Sequence, residues 1–185
     1  MKARFSLSIR LVVALLLFHV HLLCANAAEL KVLSSAAFAD AFQELAPAFE
    51  NSTGHRLTIT YDSASALMRR IDAGENFDAV ILTSSAINDL VKSGRVIAPT
   101  RAEVARAEGG APVRRGASKL EIGSSEALKF TSFTAAIGTR AFHHRQAVAV
   151  DAAKSLIRFL AGPSAATVFT RKGMQPTTTP QFAGL

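Results

Sequence analysis

The chain has 185 residues, with 21 Lys and Arg against 14 Asp and Glu, for a formal charge of +7. That mild basic excess suits anionic ligands, whereas scattered basic residues and core-like aromatic residues argue against a nucleic-acid binder. The single cysteine, Cys24, excludes a disulfide framework, so the fold must rest on its apolar core.

In chain order, Lys2, Arg4 and Arg10 precede the apolar run from Leu11 to Phe18, and Ala25-Asn26-Ala27 fits a small-x-small cleavage site. This is the pattern of a secretory signal peptide, and the run is short for a membrane span. Residues 1–27 are therefore expected to be removed, together with Cys24, and the rest to be exported. Three basic and no acidic residues leave with them, lowering the formal charge from +7 to +4. The remaining length fits one domain.

Leu30 to Leu33 read as a strand, Ser34-Ser35-Ala36-Ala37 as a tight turn, and Phe38, Phe42, Leu45 and Phe49 as one face of a helix. Asn51-Ser52-Thr53-Gly54 reads as a stop. Leu57, Ile59 and Tyr61 alternate with threonines, which predicts a second strand, ending at the cap cluster Asp62-Ser63-Ala64-Ser65. Leu67, Met68 and Ile71 predict a short helix closed by Gly74. Phe77 to Leu82 shows little alternation, as in a strand buried on both faces. Thr83-Ser84-Ser85 caps the next helix, which carries Ile87, Leu90 and Val91 and ends at Gly94.

Strand, hydroxyl turn and helix thus occur three times. Such units imply a parallel sheet whose turns share one edge, with a ligand crevice outside the carboxyl ends of the strands. Helix N-termini gather free N–H groups there and favour negative charge. Ser34, Ser35, Ser63, Ser65, Thr83 and Ser84 are expected around one mouth. The plain alternative is ordinary helix capping, for which serine and threonine are favoured anyway.

From Thr100 to Lys129 the pattern fades, and Arg101, Arg106, Arg114 and Arg115 read as a solvated basic group. Phe130 to Ile137 predicts a strand with Phe133, Ala135 and Ile137 on one side. Two helices follow, Asp151 to Leu160 and Ala165 to Lys172, then a loose tail. His143-His144 has no second pair at metal-ligand spacing, so neither metal nor cofactor is expected. A secreted serine hydrolase ranks low: there is no Gly-x-Ser-x-Gly elbow, and His55, His143 and His144 lack an evident acid partner.

Lys31-Val32-Leu33-Ser34-Ser35-Ala36-Ala37, Glu44-Leu45-Ala46-Pro47-Ala48-Phe49-Glu50, Thr53-Gly54-His55 and Phe77-Asp78-Ala79-Val80-Ile81-Leu82-Thr83 together resemble the periplasmic molybdate-binding proteins of ABC importers. The later segments Ala152-Ala153-Lys154-Ser155-Leu156-Ile157-Arg158-Phe159-Leu160-Ala161-Gly162-Pro163 and Lys172-Gly173-Met174-Gln175-Pro176 add to the likeness. The resemblance implies an α/β class II solute-binding fold, with a parallel-type central sheet flanked by helices. It implies a tetrahedral oxyanion held by hydroxyls and backbone N–H groups, an ABC permease as partner, and no enzymatic activity. The family's serines align with Ala37 and Ala64, so the implied ligand-binding set is Ser34, Ser35, Ala37, Ser63, Ala64, Ser65 and Thr83. Most of the second lobe, with the family's tyrosine, is missing between Val113 and Phe130. The expected organisation is a signal peptide at 1–27 and a first part of the lobe at 28–100. An irregular remnant at 101–129, a return segment at 130–176 and a tail at 177–185 follow. The alternative is an exported non-binding remnant with an exposed apolar face where the second lobe would pack.

Overall fold

The computed structural model describes residues 27–108, 130–139 and 147–177. The segment read as a signal peptide, Arg114, Arg115, His143, His144 and the tail beyond residue 177 lie outside the described residues. Six strands form one sheet: β1 (Glu29–Ser35), β2 (Arg56–Asp62), β3 (Ala79–Thr83), β4 (Ala102–Glu108), β5 (Phe130–Ile137) and β6 (Met174–Pro176), in the spatial order β2-β1-β3-β5-β4-β6. The helices are α1 (Ala39–Thr53), α2 (Ala64–Asp72), α3 (Ser84–Lys92), α4 (Ala147–Leu160) and α5 (Pro163–Arg171). No described helix is long and apolar enough to cross a membrane.

The parallel part of the sheet is confined to β2, β1 and β3, each followed by a helix as the periodicity predicts. The other half is antiparallel: β5 pairs with β3 and β4, and β4 with β6. One expectation is corrected here. Ala102–Glu108, read as the start of an irregular stretch, is a seven-residue strand. Ala102, Val104 and Ala105 supply its buried positions, so the apolar contrast that marks a strand is weak, and tertiary pairing with β5 and β6 decides the outcome.

Helices cover both faces. On one face Leu30, Val32, Ala79 and Ile81 pack with α1, α4 and α5; on the other Leu33, Val80 and Leu82 pack with α2 and α3. Double coverage explains why β3 lacks alternation. Phe38 anchors the first face, with its ring edge-on to Phe133 at 4.9 Å and to Phe169 at 5.5 Å. Among the described residues no broad apolar face is left open: Tyr61 is the one exposed large apolar side chain among them, and its ring still leans on Phe42.

Candidate anion-binding site

β1, β2 and β3 run the same way, and their register pairs Ser35 with Asp62 and Ser34 with Ile81. Continuing the first register by one residue and the second by two sets Ser63 and Thr83 level with Ala36, on strands roughly 4.8 Å from β1. The three strand exits are therefore neighbours. The helices they feed diverge: α1 lies on one face of the sheet, α2 and α3 on the other. The point where successive helices leave by opposite faces is the usual place for a ligand in an α/β sheet.

Each exit ends in a hydroxyl cap. Ser35 Oγ accepts from the Ala37 N–H at 3.4 Å, Ser63 Oγ from Ala66 at 3.2 Å, and Thr83 Oγ1 from Ala86 at 3.4 Å. The capping role is thus present at all three. It consumes acceptor capacity and leaves the hydroxyl protons as donors. Ser63 lies 3.3 Å from Ser65 Oγ, and Thr83 lies 3.2 Å from Ser85 Oγ, forming two hydroxyl pairs. In a helix the first N–H groups have no intrahelical acceptor. At α2 those of Ala64 and Ser65, and at α3 those of Ser84 and Ser85, stand at the start of the helix without an intrahelical acceptor.

The structure separates the sequence-predicted residues into two groups. Ser35, Ser63, Ser65 and Thr83 come together at the mouth, with Ala64 contributing backbone as the first residue of α2. Ser34 does not join them. It is still within β1, fully buried, and its hydroxyl donates to the Ser35 carbonyl at 3.4 Å. Ala37 lies in the 3₁₀ turn Ala36–Phe38, and its N–H is held by Ser35. Ser84 turns away toward β5, with its Oγ 2.8 Å from Thr134 Oγ1 and 3.2 Å from the Ser132 carbonyl. It ties the third cap to the return strand.

Two charged residues lie at the mouth that the sequence suggests only as a member of a cap cluster, Asp62, and as part of a solvated basic group, Arg106. Asp62 accepts the Ser63 N–H at 2.7 Å and places a carboxylate beside the second cap. The signal was present, since Asp followed by Ser at a strand end is a common side-chain turn. Arg106 is brought to the mouth edge by its register with Ser132, and its Nε lies 2.6 Å from Glu103 Oε1. Arg106, aided by Ser132, holds the Glu103 carboxyl below its ordinary range. The three cap turns contain no cation of their own. His55 lies at the far end of β2, where its Nδ1 accepts the Ala28 N–H at 3.1 Å, so it cannot serve a mouth serine. The described residues contain no group of three or more His, Cys, Asp or Glu able to hold a metal.

Comparisons with known proteins agree with this architecture. A family model described as bacterial extracellular solute-binding protein matches residues 30–149. An aconitate isomerase from Pseudomonas sp. is 36% identical over 124 residues, covering 64% of this chain and 47% of that protein. The chain thus spans about half the length of the curated relative it matches. Among solved structures, a tungstate-binding protein from Desulfovibrio alaskensis superposes with a TM-score of 0.62 at 12% identity, covering 83% of this chain and 100% of that one. The periplasmic molybdate-binding protein of Azotobacter vinelandii gives 0.60 at 14% identity, with 78% and 98% covered. A sulfate-binding protein from Mycobacterium tuberculosis gives 0.56 at 12% identity, with 82% and 88% covered. At these identities the structural likeness establishes the fold. The expectation that the chain is not an enzyme is corrected by the sequence relative, which is named an isomerase. The physical reason is general: one binding scaffold can carry a solute or a substrate, and the fold does not choose between them.

Proposed function

Because the chain belongs to the bacterial extracellular solute-binding proteins, we propose that it binds a small anion at the mouth formed by Ser35, Ser63, Ser65 and Thr83. The observation that carries this reading is the convergence of three capped strand exits at a point where the flanking helices leave by opposite faces. Amide dipoles and hydroxyl protons supply the positive potential, so no lysine or arginine is required. A compact tetrahedral dianion of the molybdate class suits such a wall. Its charge is spread over oxygens that the turns reach together, and the described caps offer no cation for a bulkier, more highly charged ligand. In this reading the protein is periplasmic and passes its ligand to an ABC permease. The wall covers one side only, and Ala37 and Ala64 stand where hydroxyls are expected. Each missing hydrogen bond to a charged ligand weakens binding by about 1.5–3 kcal/mol.

A second reading is favoured by the 36% identity to an aconitate isomerase. Here the ligand is a tricarboxylate and the mouth carries out proton transfer. Asp62, an ionisable side chain within the cap turns, is the group positioned to take up and return a proton. Isothermal titration calorimetry of the purified chain with molybdate, tungstate, sulfate and cis- and trans-aconitate tests both. Saturable heat with molybdate or tungstate, lost in the Ser63→Ala/Thr83→Ala double variant, is the expected result. Heat with aconitate alone, joined by a change in cis/trans ratio that Asp62→Asn abolishes, selects the second reading. No heat with any of the five overturns both.

A further inference from the structure

Gly74 and Gly94 close α2 and α3 in the same way. They sit at φ of +97° and +68°. The N–H of each glycine and that of the next residue turn back onto the last helical turn: Gly74 to Ile71, Glu75 to Arg70, Gly94 to Val91 and Arg95 to Leu90, at 2.8–3.0 Å. This paired closure needs a left-handed residue, which glycine adopts without strain. It carries Glu75 and Arg95 to equivalent places at the edge of the sheet opposite the mouth. A cavity of about 210 Å³ lies there, lined by Ile71, Glu75, Phe77, Arg95, Gly138 and Thr139.

The backbone around the cavity is firmly tied. Gly138 N–H donates to the Asp78 carbonyl at 3.0 Å, and Thr139 N–H to the Arg95 carbonyl at 2.9 Å. Thr139 Oγ1 donates to the Gly94 carbonyl at 2.6 Å. A Cβ on Gly138 would stand 2.6 Å from the Phe77 carbonyl oxygen, so only glycine permits this approach. The charges, by contrast, are unevenly matched. Glu75 is held by Arg70 and by Lys31, whose Nζ is 3.0 Å away. The Arg95 guanidinium forms no ion pair or hydrogen bond with any described residue, although its backbone is bonded on both sides.

We propose that this cavity binds a small monocarboxylate with a short apolar body, the carboxylate on Arg95 and the body against Ile71 and Phe77. The guanidinium fork matches a carboxylate in two parallel hydrogen bonds. Ile71 and Phe77, both buried, supply an apolar wall. Glu75 lines the same space, and the carboxyl ends of two helices face it, so a dianion is repelled more than a monoanion. The volume lies below the roughly 300–1,000 Å³ of pockets for drug-sized ligands, which restricts the body to a few carbon atoms or one ring.

The test is a titration of the purified full chain with propionate, benzoate and inorganic phosphate, followed by the NMR shifts of the Arg95 Nε–H and the Thr139 amide. Saturable shifts at both groups with a carboxylate, weaker with phosphate, are expected. Arg95→Gln should weaken binding by about tenfold or more, while Arg158→Gln on the exposed side of α4 leaves it unchanged. The unperturbed amide dispersion of Arg95→Gln serves as the control for folding. No saturable shift, equal binding by Arg95→Gln, or tighter binding of phosphate overturns the proposal. So do shifts confined to Ser35, Ser63 and Thr83, which would seat the carboxylate at the mouth instead.

Discussion

Thr83 ends β3 and caps α3, and its hydroxyl oxygen bonds the Ala86 N–H while lying 3.2 Å from Ser85 Oγ. Removing that oxygen strips a nine-residue helix of its cap. Thr83→Ala is expected to lower stability by about 1 kcal/mol, read as a shift in the urea midpoint at unchanged slope. Ser35→Ala should have a smaller effect, because Ser35 caps only a single 3₁₀ turn. Ser84→Ala is different in kind. It leaves the buried Thr134 hydroxyl without its 2.8 Å partner, and about 1–3 kcal/mol of destabilisation is expected in the same measurement. At this scale the sequence was legible in part. Hydroxyl residues after a strand announce caps at Ser35, Ser63 and Thr83, because capping is a local bond. That Ser34 is buried and Ser84 reaches β5 was not legible, because the elements that cover Ser34 and the partners of Ser84 come from elsewhere in the chain.

Among the elements, the 3₁₀ turn leading into α1 has the most demanding packing. Phe38 is fully buried and meets Phe42, Phe133 and Phe169, so one ring joins the first turn, the return strand and the last helix. Phe38→Ala is expected to cost about 3–5 kcal/mol in denaturant unfolding. The first three strand–helix units stand out in the sequence because apolar period, cap and closing glycine coincide in each. β4 does not. Its sequence Ala-Glu-Val-Ala-Arg-Ala-Glu carries little apolar contrast, and its place between β5 and β6 is settled by pairing rather than by its own composition.

For the molecule as a whole, ion pairs link distant parts unequally. Glu44 on α1 holds Lys172 and Arg171 at the end of α5, but all are open to solvent and salt screens them. Glu75 is better sheltered, and Arg70 and Lys31 hold its carboxyl below the ordinary 4.5. A depressed carboxylate contributes stability that is fully present above its unfolded-state pKa and is lost as pH falls through the lower folded value. The thermal midpoint is therefore expected to hold steady at neutral pH and to fall on acidification below about 4.5. Glu75→Gln should flatten that acid limb, as followed by circular dichroism.

The first three strand–helix units, the caps and the doubly covered β3 were determined by the sequence alone, since each rests on periodicity and bonds between residues a few positions apart. Which hydroxyls stand at adjacent strand exits, that Arg106 comes level with Ser132 at their edge, and that Glu75 and Arg95 flank one cavity were decided only by the tertiary structure. Those meetings depend on the crossovers and on the antiparallel return of β5, which join positions far apart in the chain that no local pattern relates.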